Sequence, residues 1–121
     1  MAVLVVEDED LVREIVTEGL AEDGHVVIEA PSAEDALAMK HTDGPPDVVV
    51  TDVNLGQGMT GLALVEEVHR RWPDAGVVIM TGNPASVGDR QFSSQERFLT
   101  KPFGNARLVS TVRELMGRSA R

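Results

Sequence analysis

The sequence predicts an α/β fold, a doubly wound (βα)5 three-layer sandwich whose helices cover both faces of a parallel five-stranded sheet. Two observations support this prediction. Short apolar runs alternate with amphipathic segments five times along the 121 residues. The runs are continuously apolar instead of alternating, as in strands that are buried on both faces. Right-handed crossovers then place helices on the two faces, and the length predicts one domain over 1–121.

The first half of the chain contains three predicted strands and two predicted helices. The strands are Ala2–Val6, His25–Ala30 and Asp47–Thr51. Asp10–Glu22 repeats its apolar residues at helical spacing and stops at Gly24, which predicts the first helix. Ser32 with Asp35 resembles a capping box, so we expect the second helix to run from there to about His41.

The second half contains two predicted strands and two clear helices. The strands are Gly76–Met80 and Arg97–Thr100, and the helices are Gly61–Trp72, ended by Pro73, and Ala106–Met116. The stretch Ala85–Gln95 is a weak helix former, because Gly88 and neighbouring serines interrupt it. We expect this stretch to be mobile or partly unwound.

Composition excludes several classes of function. Twenty acidic residues against eleven basic ones give a formal net charge of −9, which disfavours direct binding to nucleic acid or to an anionic membrane. The absence of cysteine excludes disulfides and thiolate chemistry. No apolar run approaches the roughly 20 residues of a membrane span, and no secretory signal is visible, so we expect a cytoplasmic location.

Polar residues follow four of the five predicted strands. They are Glu7–Asp10, Asp52 with Asn54, Thr81, and Lys101 with Pro102. Ligands of open α/β sheets bind at the carboxyl ends of the strands. If these strands are neighbours, two or three carboxylates, a hydroxyl and an ammonium group meet in one pocket.

This combination is typical of a site for a phosphoryl group. Crowded carboxylates repel one another unless a cation intervenes, and a few carboxylates with water suit Mg²⁺. A metal ion and Lys101 would neutralise phosphoryl oxygens, the Thr81 hydroxyl would donate to one, and a carboxylate such as Asp52 would be the nucleophile.

Each of these residues also has a structural interpretation. In the structural interpretation of Glu7–Asp10, these acids stabilise the start of the first helix by interacting with its dipole. Asp52 is compatible with a loop or N-cap role, Thr81 with a structural role, and Lys101 with the solvated surface. The functional interpretation depends on the observation that four strand ends all carry residues suited to the same chemistry.

Two further patterns are interpreted as non-functional. Gly56–Gly61 matches G-x-G-x-x-G but lies in the third β-α unit, away from the strand end, so we interpret it as turn chemistry and not as a dinucleotide site. His25, His41 and His69 lack metal-ligand spacing, and His69 is expected on a solvated helix face.

Four stretches together resemble the receiver domain of two-component response regulators. They are VLVVEDE, DVVVTDVNLGQGMTGL, VVIMTGN and FLTKPF. The resemblance covers the whole chain and implies a flavodoxin-like sheet of order 2-1-3-4-5, with Asp8 beside Asp52. We therefore expect one receiver domain over 1–121, with no output domain in this chain.

The resemblance implies roles for the strand-end residues. Asp52 would accept a phosphoryl group from a phosphohistidine of a sensor histidine kinase or histidine phosphotransfer protein. Asp8 and Asp52 would bind Mg²⁺ (or Mn²⁺) through carboxylates, Asn54 through its backbone carbonyl, and Glu7 directly or through water. Glu7 stands where the family more commonly has aspartate.

The remaining implied roles concern the switch. Thr81 would hydrogen-bond the phosphoryl oxygen and Lys101 would pair with it, while the Lys101–Pro102 bond would be cis. Phe98 occupies the position of the switch aromatic but lacks the hydroxyl of the more usual tyrosine. The family signals through the face that the weak segment would help to form.

The resemblance thus predicts a phosphoacceptor switch, monomeric or dimeric on phosphorylation, with an unspecified downstream protein target. It is a module that assists its own phosphorylation and dephosphorylation, not a turnover enzyme. One alternative is a Mg²⁺-dependent aspartyl-phosphate phosphohydrolase, but Asn54 cannot be a general acid. The other is a receiver-like scaffold that binds partners without phosphorylation.

Overall fold

The computed structural model describes residues 2–41, 44–56, 58–88 and 90–119. Its parallel strands are β1 (Ala2–Val6), β2 (Val26–Ala30), β3 (Val48–Asp52), β4 (Gly76–Thr81) and β5 (Glu96–Thr100), and they form one sheet of order β2-β1-β3-β4-β5. Its helices are α1 (Asp10–Glu22), α2 (Ala33–Ala38), α3 (Gly61–Arg71) and α4 (Asn105–Ser119). The predicted fold class and strand order are confirmed.

Two apolar cores lie on opposite faces of the sheet. One packs α2 and α3 against alternate residues of the strands, such as Leu4, Val49 and Val77. The other packs α1 and α4 against the residues between them, such as Val5 and Val50. Because both faces are covered, every residue of β3 and β4 is buried, which explains the continuously apolar sequence of these strands.

The second helix ends earlier than predicted, at Ala38 instead of about His41. Ser32 caps its start, since the Ser32 hydroxyl accepts the Asp35 N–H at 3.0 Å. Its last carbonyls are bonded by side chains: His41 Nε2 lies 3.3 Å from the Ala36 oxygen, and Arg71 donates to the Leu37 oxygen at 3.1 Å. These contacts replace the helical bonds of a further turn.

The fourth crossover has no α-helix in its described residues. A 3-10 turn spans Pro84–Val87, and residues 90–95 form neither helix nor strand. Gly88 has a φ of 55°, which ends the turn in a conformation that favours glycine. The predicted weakness of Ala85–Gln95 as a helix is confirmed for its described residues; its mobility stays a prediction, and Asp89 lies outside the described residues.

The strand boundaries place two polar residues at the carboxyl ends of central strands. β3 extends one residue further than predicted and ends at Asp52, and β4 likewise ends at Thr81.

The predicted glycine turn is confirmed by positive φ angles of 74° at Gly56 and 93° at Gly58; Gln57 between them lies outside the described residues. Within the described ranges, none of the helices is both long and apolar enough to cross a membrane.

Candidate functional site

The carboxyl edge of the sheet brings three predicted site residues into contact. Glu7 follows β1, Asp52 ends β3, and Lys101 follows β5. Lys101 Nζ donates to Glu7 Oε1 at 2.7 Å and also to Asp52 Oδ2. Lys101 therefore joins two carboxylates that are far from it in sequence.

Burial controls the charges in this cluster. Glu7 is 0% exposed, and this burial is the main reason why its pKa is raised from 4.5 to about 7. The hydrogen bond from Lys101 lowers the pKa of Glu7, while the Asp52 carboxylate raises it further. Burial also opposes the charge of Lys101, but its hydrogen bonds to Asp52 and Glu7 leave its pKa above the ordinary value. The site thus keeps a fixed ammonium beside a carboxyl that titrates near neutrality.

Asp8 and Asn54 border the buried cluster from the solvent side. Both are exposed. The Asn54 N–H donates to Asp52 Oδ1 at 2.9 Å, which fixes the start of the loop after β3. A Cβ atom built on Gly56 would lie 3.1 Å from Asp8 Oδ2, so this loop runs beside the Asp8 carboxylate.

Thr81 and Lys101 lie side by side at the ends of β4 and β5. The Lys101 N–H donates to the Thr81 carbonyl at 2.8 Å. Thr81 is fully buried, and its hydroxyl donates to the Asn83 carbonyl at 3.1 Å and accepts the Asn83 N–H at 3.0 Å. The Lys101–Pro102 bond is cis, in agreement with the resemblance.

Phe98, the predicted switch aromatic, is half-buried in β5. Its ring stacks on Phe92, with centroids 5.6 Å apart and planes 19° from parallel. The sequence does not predict this pair, because an exposed phenylalanine in an irregular segment carries no periodic signal. The pair places the segment before β5 against the predicted switch position.

His69 is only partly solvated: its side chain is 31% exposed, and one ring nitrogen contacts a buried acid. Its Nε2 lies 2.8 Å from Glu96 Oε2, and the Glu96 side chain is only 4% exposed. Arg90 donates to the same oxygen at 2.8 Å. Burial opposes the charge of Glu96, but its hydrogen bonds to His69 and the Ser93 N–H hold its pKa below the ordinary value. A buried acid needs such partners, and because the predicted strand begins only at Arg97, the sequence contains no signal for them.

Gly61 also has a role that the sequence pattern does not reveal. A Cβ atom at this position would lie 1.8 Å from the Asp52 carbonyl oxygen, and the Gly61 N–H donates to the Val53 carbonyl at 2.9 Å. The start of α3 therefore packs directly on the backbone of Asp52, at a distance that only glycine allows.

The oxygen atoms of the site fit a small divalent cation. Glu7 Oε2 is buried and has no hydrogen-bond partner in the described part of the chain, which leaves an acceptor that a cation or its water would satisfy. No group of three or more His, Asp or Glu among the described residues is arranged as a ready metal site. Mg²⁺ needs few carboxylates, because it keeps several waters, so Glu7, Asp8, Asp52 and the Asn54 carbonyl are the donors that would hold it together with water.

Comparison with known protein sequences identifies relatives of this chain. The sequence profile of the response regulator receiver domain matches residues 3–113. The chain is 35% identical over 117 residues to the sensor kinase CckA of Brucella abortus, covering 94% of this chain and 12% of that protein. It is 34% identical over 125 residues to the transcriptional regulatory protein FixJ of Azorhizobium caulinodans, covering 99% of this chain and 57% of that protein.

Solved structures give the same result. The response regulator TrrA of Thermotoga maritima, solved in complex with Mg²⁺-BeF, superposes with a TM-score of 0.81 at 29% identity and covers 94% of this chain and 97% of that chain. The receiver domain of NtrX from Brucella abortus has a TM-score of 0.80 at 30% identity, covering 95% of this chain and 98% of that one.

Proposed function

Because this chain belongs to the family of response regulator receiver domains, we propose that it is a phosphoacceptor switch in which Asp52 takes a phosphoryl group from a phosphohistidine. The observation that carries this proposal is the bridge from Lys101 to both Glu7 and Asp52. It places a cation against the carboxylate that would be phosphorylated, at the edge of the sheet where such ligands bind.

The proposed reaction forms an acyl phosphate. An Asp52 carboxylate oxygen attacks phosphorus, the phosphorus–nitrogen bond of the phosphohistidine breaks, and the imidazole nitrogen leaves with the bonding pair and takes up a proton. Lys101 then pairs with the added negative charge. Bound Mg²⁺, held by Asp8, Asp52, the Asn54 carbonyl and Glu7, would supply positive charge to the transferring group.

The switch follows from the change in charge at Asp52. Phosphorylation adds roughly one to two negative charges, and the Thr81 hydroxyl, which now donates to the Asn83 carbonyl, would turn to donate to a phosphoryl oxygen. Phe98 would then move into the space that Thr81 leaves. This local change would shift the population of conformations at the β5 face.

The phosphoryl donor would bind beside α1. Leu11 and Ile15 of this helix are 68% and 59% exposed, and Ile15 lines an apolar groove with Pro102, Phe103 and Lys101. Lys101 lines this groove and also contacts Asp52, so a protein bound in the groove would bring its phosphohistidine close to Asp52. We therefore propose that a sensor histidine kinase or a histidine phosphotransfer protein docks on this groove. A cytoplasmic location and the oligomeric state stay predictions.

Phosphorylation by a small phosphodonor tests the proposal against both alternatives. With Mg²⁺ and acetyl phosphate, intact mass spectrometry should detect one added phosphoryl group in the wild type and in the control Asp35→Asn, and none in Asp52→Asn. Many rapid turnovers of phosphate esters would instead support the phosphohydrolase. A wild-type protein that takes up neither phosphoryl nor beryllofluoride would support the scaffold. Labelling of Asp52→Asn would place the acceptor elsewhere.

A further inference from the structure

Glu34 reaches from α2 to the loop that follows the proposed acceptor, which we call the β3–α3 loop (residues 53–60). Glu34 Oε2 accepts the Met59 N–H at 2.6 Å, across 25 residues of sequence. The neighbouring Gly58 has a φ of 93°, and a Cβ atom there would lie 2.7 Å from the same carboxylate oxygen. The loop backbone therefore comes close to Glu34 at two successive residues.

The contact is charge-assisted. The Met59 N–H is the main reason why the pKa of Glu34 lies below its ordinary value, and the N–H of Glu34 itself adds to this effect. Hydrogen bonds from backbone N–H groups to an ionised carboxylate are shorter and stronger than those between neutral groups. The 2.6 Å separation agrees with an ionised Glu34.

The loop held by Glu34 carries parts of the candidate site. It begins at Val53, directly after Asp52, and Asn54 donates to the Asp52 carboxylate. Gly56 lies beside Asp8 Oδ2. At the other end, Thr60 caps α3 by accepting the Ala63 N–H at 3.1 Å. The hydrogen bond from Met59 to Glu34 thus ties the middle of this connection to α2.

We propose that Glu34 is a positioning residue, which holds the β3–α3 loop so that the Asn54 carbonyl and the space beside Asp8 are arranged for a divalent cation before the cation binds. This inference depends on the proposed function only through the identity of the cation. Its structural part, the restraint on the loop, applies to the metal-free protein.

A simpler role for Glu34 is that of an acid in the first turn of α2. Asp35 lies in the same turn and carries the same charge, and no hydrogen bond joins it to the loop among the described residues. Asp35→Ala therefore removes a first-turn acid without removing the contact to Met59. This substitution is the matched control.

The test compares Glu34→Ala, Glu34→Gln and Asp35→Ala with the wild type. Amide hydrogen exchange of Met59 is measured in metal-free protein, and the dissociation constant of Mg²⁺ is measured by calorimetry. A hydrogen bond of ordinary net strength corresponds to roughly threefold to tenfold in an equilibrium constant, and one to an ionised group to more. We expect at least this change in both quantities for Glu34→Ala and a smaller change for Glu34→Gln, whose neutral amide oxygen still accepts but without the charge. For Asp35→Ala we expect a change below about twofold.

The outcomes are distinguishable. Unchanged exchange at Met59 in Glu34→Ala overturns the restraint. Faster exchange with unchanged Mg²⁺ affinity overturns the positioning role. Equal effects of Glu34→Ala and Asp35→Ala would mean that Glu34 acts only through α2. If the wild type binds no Mg²⁺, the proposed function fails, and the exchange at Met59 and Asn54 alone decides whether Glu34 holds the loop.

Discussion

The ring centroids of Phe98 and Phe92 lie 5.6 Å apart, and the two rings are nearly parallel. Phe98 belongs to β5, whereas Phe92 belongs to the irregular segment before it and is 38% exposed. The Arg90 guanidinium lies 5.9 Å from the Phe92 ring centroid, and Arg90 is itself paired with the buried Glu96. The proposed switch aromatic is therefore packed on a segment without α-helical structure.

A double-mutant cycle on this pair tests the packing. Aromatic pairs contribute about 0.5–1.5 kcal/mol beyond area burial, so Phe92→Leu and Phe98→Leu should show a coupling free energy in that range by urea unfolding. Phe103, which packs on the opposite core, gives the control, since Phe92→Leu and Phe103→Leu should be additive. Additivity of the first pair would show that the stacking contributes nothing.

The pKa of Glu7 predicts a pH dependence for the stability of the metal-free protein. Since Glu7 titrates at about 7 when folded and 4.5 otherwise, the folded state binds more protons between these values. The free energy of unfolding should therefore fall as pH rises from about 4.5 to 7, by on the order of 3 kcal/mol from this group, and then level off. Urea unfolding across this range measures it, and Glu7→Gln should remove this component. A wild type and Glu7→Gln with parallel profiles would contradict the prediction.

Gly61→Ala should disturb the proposed acceptor through its backbone. The added Cβ atom would lie 1.8 Å from the Asp52 carbonyl oxygen, and forcing an extra methyl into packed backbone costs about 1–3 kcal/mol. We expect this loss in urea unfolding, together with slower phosphorylation by acetyl phosphate. Gly104→Ala is the control, because nothing lies within 4 Å of its added Cβ atom. Equal stability of the two variants would show that the contact relaxes freely.

Lys101→Met should lower the stability of the metal-free protein without abolishing Mg²⁺ binding. Without the ammonium, Glu7 and Asp52 lack their shared cation, and removing one partner of a buried ion pair costs up to about 3–5 kcal/mol. We expect stability to fall more between pH 5, where Glu7 is protonated, and pH 8 than it does in the wild type, and to recover when Mg²⁺ is added. Mg²⁺ binding should persist while the phosphorylation-dependent change at Phe98, followed by NMR, weakens. Loss of Mg²⁺ binding in this variant would contradict the prediction.

The sequence predicts best those parts of the fold whose residues are buried. β3 is apolar along its length because helices cover both faces, so its sequence indicates its place in the sheet. The convergence of Asp52 and Lys101 follows from the general rule for strand ends in parallel sheets. Once the strands and their order are known, the proximity of these two residues follows.

The contacts that sequence did not predict connect elements through side chains. The early end of α2 depends on Arg71 bonding the Leu37 carbonyl, and the hydrogen bond between Glu34 and Met59 joins residues far apart in the chain. His69 of α3 contacts Glu96 of β5, 27 residues away in the chain. Such pairs depend on how helices pack on the sheet, which neither periodicity nor local propensity reveals.

The Lys101 bridge joins distant parts of the chain, so it can form only in a folded molecule. Glu7 and Lys101 are 94 positions apart, and their contact requires β1, β3 and β5 to be in place together. The entropy of closing the intervening chain opposes such a long-range contact until the packing of the sheet offsets it. A nascent or partly unfolded chain therefore lacks the paired cation at Asp52, and uptake of a phosphoryl group would report that folding is complete.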